Sequence, residues 1–306
     1  GAQLAYTLDG SDPRALDGKI PAYTVLASSP LLLASTANVH VRSYRADLIS
    51  TFPGSPWSSV VAGPSATAVL PRSRLSNLSV LTNLAASDTV TMGFVVGPSG
   101  TGGSKPLLAR AAGPSLSQFS VPSPNPDPQL QLYAGSTKVT ENNDWGGDSA
   151  VSKVFTQLGA FPYTSKSSKD AAVFSPAVAS GSNSVVASGV GAASGFVIAE
   201  LYDATASSDF TAATPRLINV SVLRNVGDGL TVGFVIGPPV SPAKNVLIRV
   251  VGPGLVQFGY PTSSVLGDPQ LTLFGPGGPI GENDNWGGTS ALTAAFASVG
   301  AFALPA

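Results

Sequence analysis

The sequence predicts an all-β protein built from tandem antiparallel β-sandwiches, and three observations carry this prediction. Short apolar runs rich in Val, Leu, Phe and Thr alternate with turn residues along most of the 306-residue chain. The chain has 34 Gly and 26 Pro, and Gly-Pro pairs end several of the runs because Pro cannot extend a strand ladder. A long segment also occurs twice, which indicates one module used two times.

The repeated segment covers about residues 74–161 and returns at about residues 216–302. For example, RLSNLSVL at residues 74–81 returns as RLINVSVL at residues 216–223. Each matched block has the length and composition of a strand, so both copies are predicted to fold as sandwiches or jelly rolls. We refer to the copies as repeat one and repeat two.

Three modules follow from this organisation: residues 1–63, which are unrelated to the repeat, then residues 72–206 and residues 215–306. Repeat one continues through three more predicted strands within residues 170–204, and repeat two has no counterpart of these strands. We therefore expect the first sandwich to lack its first strand or strands and the last sandwich to lack its final ones. Such sandwiches expose ladder edges and apolar core.

Composition excludes several classes of function. Lys and Arg number 16 against 17 Asp and Glu, so no basic excess exists to neutralise nucleic acid or an anionic membrane. No apolar run reaches the length of about 18 residues that spans a membrane, so membrane insertion is not expected. The chain contains no Cys and a single His, His40, which excludes disulfides, thiolate sites and His-pair metal motifs. Only 11% of residues are charged, and such a surface favours association between proteins.

The N-terminal segment contains YTLDGSDPR at residues 6–14 and closes with PWSSVV at residues 56–61. This pattern resembles the Ig-like domain at the C-terminus of chitobiase and β-hexosaminidase. The resemblance implies an accessory module of secreted and surface proteins that carries no catalytic residue. The residues themselves indicate a turn, because Asp side chains cap their own backbone, Gly10 accepts positive φ and Pro13 fixes the exit.

Each repeat contains an Asp-Pro-Gln-Leu strand, at residues 127–133 and 268–274, followed by ENNDWGG or ENDNWGG. This combination resembles the core of the bacterial pre-peptidase C-terminal domain. The resemblance implies a small jelly-roll sandwich attached to secreted enzymes and surface proteins. It therefore implies an extracellular or cell-surface location.

The two Glu-Asn-Asx clusters allow two interpretations. Ca²⁺ binds six to eight carboxylate, amide and backbone oxygens, so each cluster is a candidate structural calcium site. Asn and Asp are also the standard turn residues, and the following Trp suits a core anchor; the absence of EF-hand spacing favours this second interpretation. The candidate ligands are Glu141, Asn143, Asp144 and Asp148 in repeat one, and Glu282, Asn283, Asp284 and Asn285 in repeat two.

Arg110 and Arg249 occupy matching places within apolar strands. A charge in such a strand is seldom buried unless it is paired, so Asp127, Asp268 or a Glu of the following turn is a candidate partner. The alternative is an Arg that faces outward or lies on an edge strand. Neither interpretation is catalytic.

Together these patterns predict a non-catalytic structural or adhesive protein outside the cell. Its expected partner is an identical subunit, joined by strand donation in a filament or surface layer. The alternative is a carbohydrate-binding or targeting region of a larger secreted hydrolase, with a polysaccharide as partner. No catalytic residue is predicted, since His40 lies in an alternating strand and no Gly-x-Ser-x-Gly elbow occurs. No cofactor is predicted beyond the calcium alternative.

Overall fold

In the computed structural model of the chain, antiparallel sheets pack as sandwiches, which confirms the predicted all-β class. Contacts divide the chain into two units, Gly1–Arg72 and Ser73–Ala306, so both repeats belong to the second unit. The boundaries of the three sequence modules stay predictions. The structure describes residues 2–27, 38–46, 56–62, 73–97, 101–211, 213–227, 229–237 and 244–305.

The first unit contains a four-stranded antiparallel sheet in the order β2-β1-β3-β4. Its strands are β1 (Gln3–Thr7), β2 (Val25–Ala27), β3 (His40–Tyr44) and β4 (Val61–Ala62). The indole N–H of Trp57 donates to the Gly18 carbonyl oxygen at 2.7 Å, and its ring lies 4.7 Å from that of Tyr44. Trp57 is therefore fixed by packing and by a local hydrogen bond.

The Asp-rich segment of this unit forms a turn, as the sequence predicts. Asp9 Oδ1 accepts from the Ser11 backbone N–H at 2.9 Å, and Asp12 Oδ1 accepts from the Arg14 backbone N–H at 3.0 Å. Asp12 also pairs with Arg42, whose Nε donates to Asp12 Oδ1 at 2.6 Å. This pairing holds the pKa of Asp12 at about 2, below its ordinary value.

Repeat one supplies eight strands and one α-helix to the second unit. The three strands predicted beyond residue 161 are confirmed as the last three of these. The elements are β5 (Arg74–Leu84), β6 (Thr89–Gly97), β7 (Ser104–Ala112), a 3₁₀ helix (Pro114–Phe119), β8 (Pro128–Ala134), β9 (Thr137–Asn142), α1 (Ser149–Leu158), β10 (Ala171–Ala179), β11 (Gly181–Gly189) and β12 (Gly195–Asp203).

Repeat two follows a short 3₁₀ turn at Ser207–Asp209. In its described part, the segment that matches β7, residues 246–251, has no strand assignment. The elements of repeat two are β13 (Arg216–Leu223), β14 (Thr231–Gly237), 3₁₀ helices at Pro253–Phe258 and Thr262–Ser264, β15 (Leu271–Gly275), β16 (Gly278–Asn283) and α2 (Ser290–Ser298).

The sandwich consists of two five-stranded antiparallel sheets in the orders β10-β7-β12-β5-β14 and β13-β6-β11-β8-β9. Each sheet therefore contains four strands of repeat one and ends in one strand of repeat two. β15 and β16 form a separate two-stranded sheet.

The core lies between the two large sheets, and alternation along β7 shows how the sequence fills both faces of a sheet. Leu107, Ala109 and Ala111 belong to the apolar cluster of the sandwich interior. The alternate residue Leu108 belongs to a second cluster on the outer face, together with Phe155 of α1. Because successive side chains of a strand point to opposite faces, the sheet containing β7 is buried on both sides here.

Candidate interaction site at the open edge of repeat two

The strands of the two repeats pair with pseudo-two-fold symmetry. β14, which matches β6 in sequence, pairs with β5; β13, which matches β5, pairs with β6. Arg74 lies opposite Gly237, and its counterpart Arg216 lies opposite Gly97, which is the counterpart of Gly237. The same register therefore occurs on both sides of the sandwich. We refer to this pairing as the inter-repeat contact.

Glycine permits the close approach of the strands at the inter-repeat contact. A Cβ on Gly93 would lie 2.8 Å from Ser221 Oγ, and a Cβ on Gly233 would lie 2.8 Å from Ser79 Oγ. These two positions are counterparts, since Gly93 matches Gly233 and Ser79 matches Ser221. Both repeats therefore carry the residues that this pairing needs.

Arg110 of β7 is enclosed by aromatic rings and paired with a carboxylate. Its guanidinium lies 4.3 Å, 4.3 Å and 4.5 Å from the ring centroids of Phe155, Phe161 and Tyr163. Its Nη1 lies 3.3 Å from Oε2 of Glu200, the residue directly opposite it on β12. Arg110 is fully buried and its guanidinium nitrogens have no hydrogen-bond partner in the described structure, so the ring faces and the nearby carboxylate are what offset its lost hydration.

A second buried charge network lies near the ends of β7 and β12. Lys105 is fully buried, and its Nζ lies 2.7 Å from Asp203 Oδ2 and donates to Thr205 Oγ1 at 2.8 Å. Arg74 lies 3.5 Å from the same Asp203 oxygen and 4.4 Å from the ring centroid of Phe210. Burial lowers the pKa of Lys105, and Asp203 opposes that shift. In repeat one, β12 thus supplies carboxylates to both buried cation clusters.

Arg249, the counterpart of Arg110, has the aromatic rings without the carboxylate. Its guanidinium lies 4.5 Å from the ring centroid of Phe296 and 4.4 Å from that of Phe302. Nη1 donates to the Phe302 carbonyl oxygen at 2.8 Å, while the buried Nη2 has no hydrogen-bond partner in the described structure. Desolvation lowers the pKa of Arg249, and no carboxylate opposes that shift.

The apolar side chains beside Arg249 are exposed where their counterparts are buried. In the described part of the chain, residues 246–251 pair with no strand, whereas β7 pairs with β10 and β12. The relative exposures are 48% for Val246, 37% for Ile248 and 41% for Val250, against 3% for Leu107, 4% for Ala109 and 0% for Ala111.

β13 and β14 are the terminal strands of their sheets, and neither pairs with a further strand of the described ranges on its outer side. These two outer edges, together with residues 246–251, form what we call the open edge. It combines unpaired backbone groups, exposed apolar side chains and an Arg without a carboxylate. Such a surface is chemically suited to accept another β-strand.

The candidate calcium ligands of repeat one lie in a turn and a helix cap. Glu141 Oε2 accepts from Lys138 Nζ at 2.8 Å, which lowers the pKa of Glu141. Asp148 is the N-cap of α1, where its Oδ1 accepts from the backbone N–H groups of Ala150 and Val151 at 2.7 Å and 3.3 Å. Asn143 and Asp144 are exposed. These contacts are those of an Asx-rich turn, and calcium binding stays a prediction.

The counterparts in repeat two form the same turn. The Asn283 amide donates to the Asn285 carbonyl oxygen at 3.0 Å, and the Asn285 amide donates to Asp284 Oδ2 at 3.2 Å. Glu282 is exposed. Within the described ranges, no group of three or more His, Cys, Asp or Glu residues is arranged to hold a metal ion.

Sequence reasoning missed the partner of Arg110. The pairing with Asp127 was wrong, because Asp127 Oδ2 lies 2.7 Å from Lys169 Nζ, while Arg110 pairs with Glu200. A signal was present, since Glu200 is the only charged residue in the apolar run 185–201. The role of Asp170 was also missed. It is fully buried and accepts from the backbone N–H of Gly113 at 2.8 Å.

In the part of the chain that the structure covers, no helix is long and apolar enough to cross a membrane. A comparison with models of protein families finds no match, and a comparison with curated protein sequences finds no relative. The two family resemblances therefore stay predictions. What the structure itself defines is a class: a tandem β-sandwich protein whose repeats are joined by strand pairing.

Proposed function

We propose that this chain is a non-catalytic structural or adhesive protein of the cell exterior that associates with identical subunits by β-strand pairing. The observation that carries the proposal is the open edge of repeat two. In repeat one, β5 and β6 each have a strand on both sides, whereas β13 and β14 each have one on a single side. If a strand of another subunit paired with β13 or β14, the two subunits would be joined by strand pairing, as the two repeats of this chain are.

The physical cost of an open edge supports association. Unpaired N–H and C=O groups beside exposed apolar residues form a template for another strand, and soluble proteins usually block such edges with charge or proline. The described residues of β14 include no charged residue and no proline, and Val232 and Phe234 are exposed on it. With 11% charged residues, the chain also has little electrostatic repulsion to oppose association.

Sedimentation velocity over a wide concentration range, together with electron microscopy, tests the proposal. We expect oligomers or filaments whose mass rises with protein concentration. A species that stays at the 30.7 kDa monomer mass throughout would overturn it.

A matched pair of variants assigns the association to the open edge. Val232→Lys places a charge on β14, and Val139→Lys places the same charge on β9, which is the edge strand at the far side of the other sheet. Both valines are exposed, so the fold tolerates either change, which far-UV circular dichroism checks. We expect association to be lost only for Val232→Lys; loss only for Val139→Lys would contradict a role for the open edge.

The polysaccharide alternative makes a different prediction, namely a pull-down that Trp→Ala variants abolish. All three indole N–H groups donate to backbone carbonyl oxygens, those of Gly18, Ser165 and Pro305. The Trp145 ring stacks on Phe155 at 5.9 Å between centroids. Rings held in this way favour the structural proposal over a sugar-binding platform.

A further inference from the structure

Repeat one provides a template for the strand that the open edge would accept. β12 lies between β5 and β7 and pairs with both. The counterparts of β5 and β7 in repeat two are β13 and residues 246–251, both of which belong to the open edge. By this correspondence, a strand that paired with both would have the environment of β12.

The face pattern of β12 defines the chemistry of that strand. Val197, Ala199 and Leu201 are buried in the sandwich interior. On the opposite face, Glu200 meets Arg110 and accepts from the Tyr202 hydroxyl at 2.8 Å. In repeat two, Val246, Ile248 and Val250, the counterparts of the core-facing residues of β7, are exposed. The guanidinium nitrogens of Arg110 and Nη2 of Arg249 all lack a hydrogen-bond partner, but in the described structure only Arg110 has a carboxylate beside it.

From this match we propose that the open edge binds a β-strand of a second polypeptide that is apolar on one face and carries one carboxylate on the other, placed to pair with Arg249. The strand sits antiparallel between β13 and residues 246–251, so that the segment 246–251 becomes a strand. The inference rests on the proposed function in taking the open edge as the contact surface, and it adds the chemistry of the ligand.

Charge complementarity selects this ligand over a purely apolar strand. An apolar strand would complete the desolvation of Arg249 without supplying an acceptor, which is costly for a buried cation. A carboxylate supplies the opposite charge, as Glu200 does for Arg110, whose Nη1 lies 3.3 Å from Glu200 Oε2 in an ion pair. A basic strand would place a second cation beside Arg249, and the repulsion between the like charges excludes it.

The test uses the full chain and a fluorescein-labelled synthetic peptide with the sequence of residues 193–205, which contains β12. Fluorescence anisotropy measures binding of this peptide and of a matched peptide carrying Glu200→Gln. We expect saturable binding of the first peptide and about tenfold weaker binding of the second, since a charged hydrogen-bonding partner is lost. No binding, or equal binding of the two peptides, would overturn the proposal.

Variants of the chain complete a double-mutant cycle. Arg249→Gln should weaken binding of the peptide that carries Glu200 about tenfold and leave binding of the Glu200→Gln peptide unchanged. Arg14→Gln, which removes a charge in the first unit, should change the binding of neither peptide. Equal weakening of both peptides by Arg249→Gln would show a merely structural role and overturn the pairing. In hydrogen exchange, the amides of residues 246–251 should gain protection when the peptide binds.

The outcomes separate this inference from the proposed function. Peptide binding by a chain that stays monomeric would support the ligand chemistry and overturn self-assembly. Oligomers that form at the open edge while the peptide fails to bind would support self-assembly and overturn the ligand chemistry.

Discussion

Repeat one and repeat two share a sequence pattern but differ in what surrounds it. In both, Gln118 or its counterpart Gln257 donates at 2.7 Å to the carbonyl oxygen three residues earlier, and Arg110 or Arg249 stacks on two phenylalanines. The helices, turns and Arg–aromatic stack thus form in either setting. The helices and turns depend on residues close in sequence, whereas each stack joins an Arg to rings of the same repeat that follow it later in the chain.

The two repeats differ in the segment that pairs with strands from distant parts of the sequence. Residues 104–112 form β7 between β10 and β12, whereas residues 246–251 pair with no strand of the described part of the chain. The core-facing side chains are buried in the first case and about two-fifths exposed in the second. The motifs shared by the two repeats therefore form without flanking strands, whereas the segment that matches β7 is buried only where β10 and β12 lie on either side of it.

The largest expected contrast comes from replacing the buried Arg110 and its half-buried counterpart Arg249. Arg110→Met leaves Glu200 buried without a charge partner, and such a loss typically costs about 3–5 kcal/mol. Arg249→Met leaves no carboxylate behind, so we expect a change within about 1 kcal/mol of the free energy of unfolding. Urea unfolding followed by circular dichroism measures both. Similar losses for the two variants would show that repeat two is already complete in solution.

A difference in stability of intermediate size is expected between alanine substitutions of the two glycines that precede the matching 3₁₀ helices. A Cβ on Gly113 would lie 2.1 Å from the Asn125 carbonyl oxygen, and a Cβ on Gly252 would lie 1.9 Å from that of Leu266. We expect Gly113→Ala to cost about 1–3 kcal/mol, because the surrounding core resists movement. Gly252→Ala should cost less, since the neighbours of Gly252 are more exposed and can shift. Thermal unfolding of both variants checks the order; the reverse order would contradict it.

The smallest effect is expected for the Asp12–Arg42 ion pair, a partly exposed pair that serves as a reference for the buried Arg110–Glu200 pair. The folded-state pKa of Asp12 is lowered to about 2 by Arg42, from an unfolded value near 3.9. The pair therefore stabilises the fold above about pH 4, and this contribution is lost as pH falls from about 4 towards 2. Asp12 is 41% exposed, so the contribution is about 1 kcal/mol or less.

The matched variant for this reference is Asp12→Asn. It should be less stable than the unchanged chain at pH 7 and equally stable near pH 1, about one unit below the folded-state pKa of Asp12, as thermal unfolding at the two pH values would show. A stability difference that persists near pH 1 would mean that Asp12 acts through packing and not through its charge.

Sequence reasoning reached the fold class, the repeat and the strands β10, β11 and β12 because these depend on local periodicity and turn residues. It missed the partner of Arg110 because Glu200 lies 90 residues away and becomes a neighbour only through the order β7-β12. It also did not reach the inter-repeat contact, since pairing one repeat with the next requires knowing which sheet edges are free.

Sequence alone therefore predicts an all-β chain with a duplicated module and Asx-rich turns, and it places Arg110 and Arg249 at matching positions without deciding whether they are buried. The folded chain shows in addition that strands of repeat two extend both sheets of repeat one, and that Arg249 has rings without a carboxylate beside it in the described residues. Periodicity fixes which face of a strand is apolar, whereas the order of the strands depends on long-range pairings among all the available sheet edges.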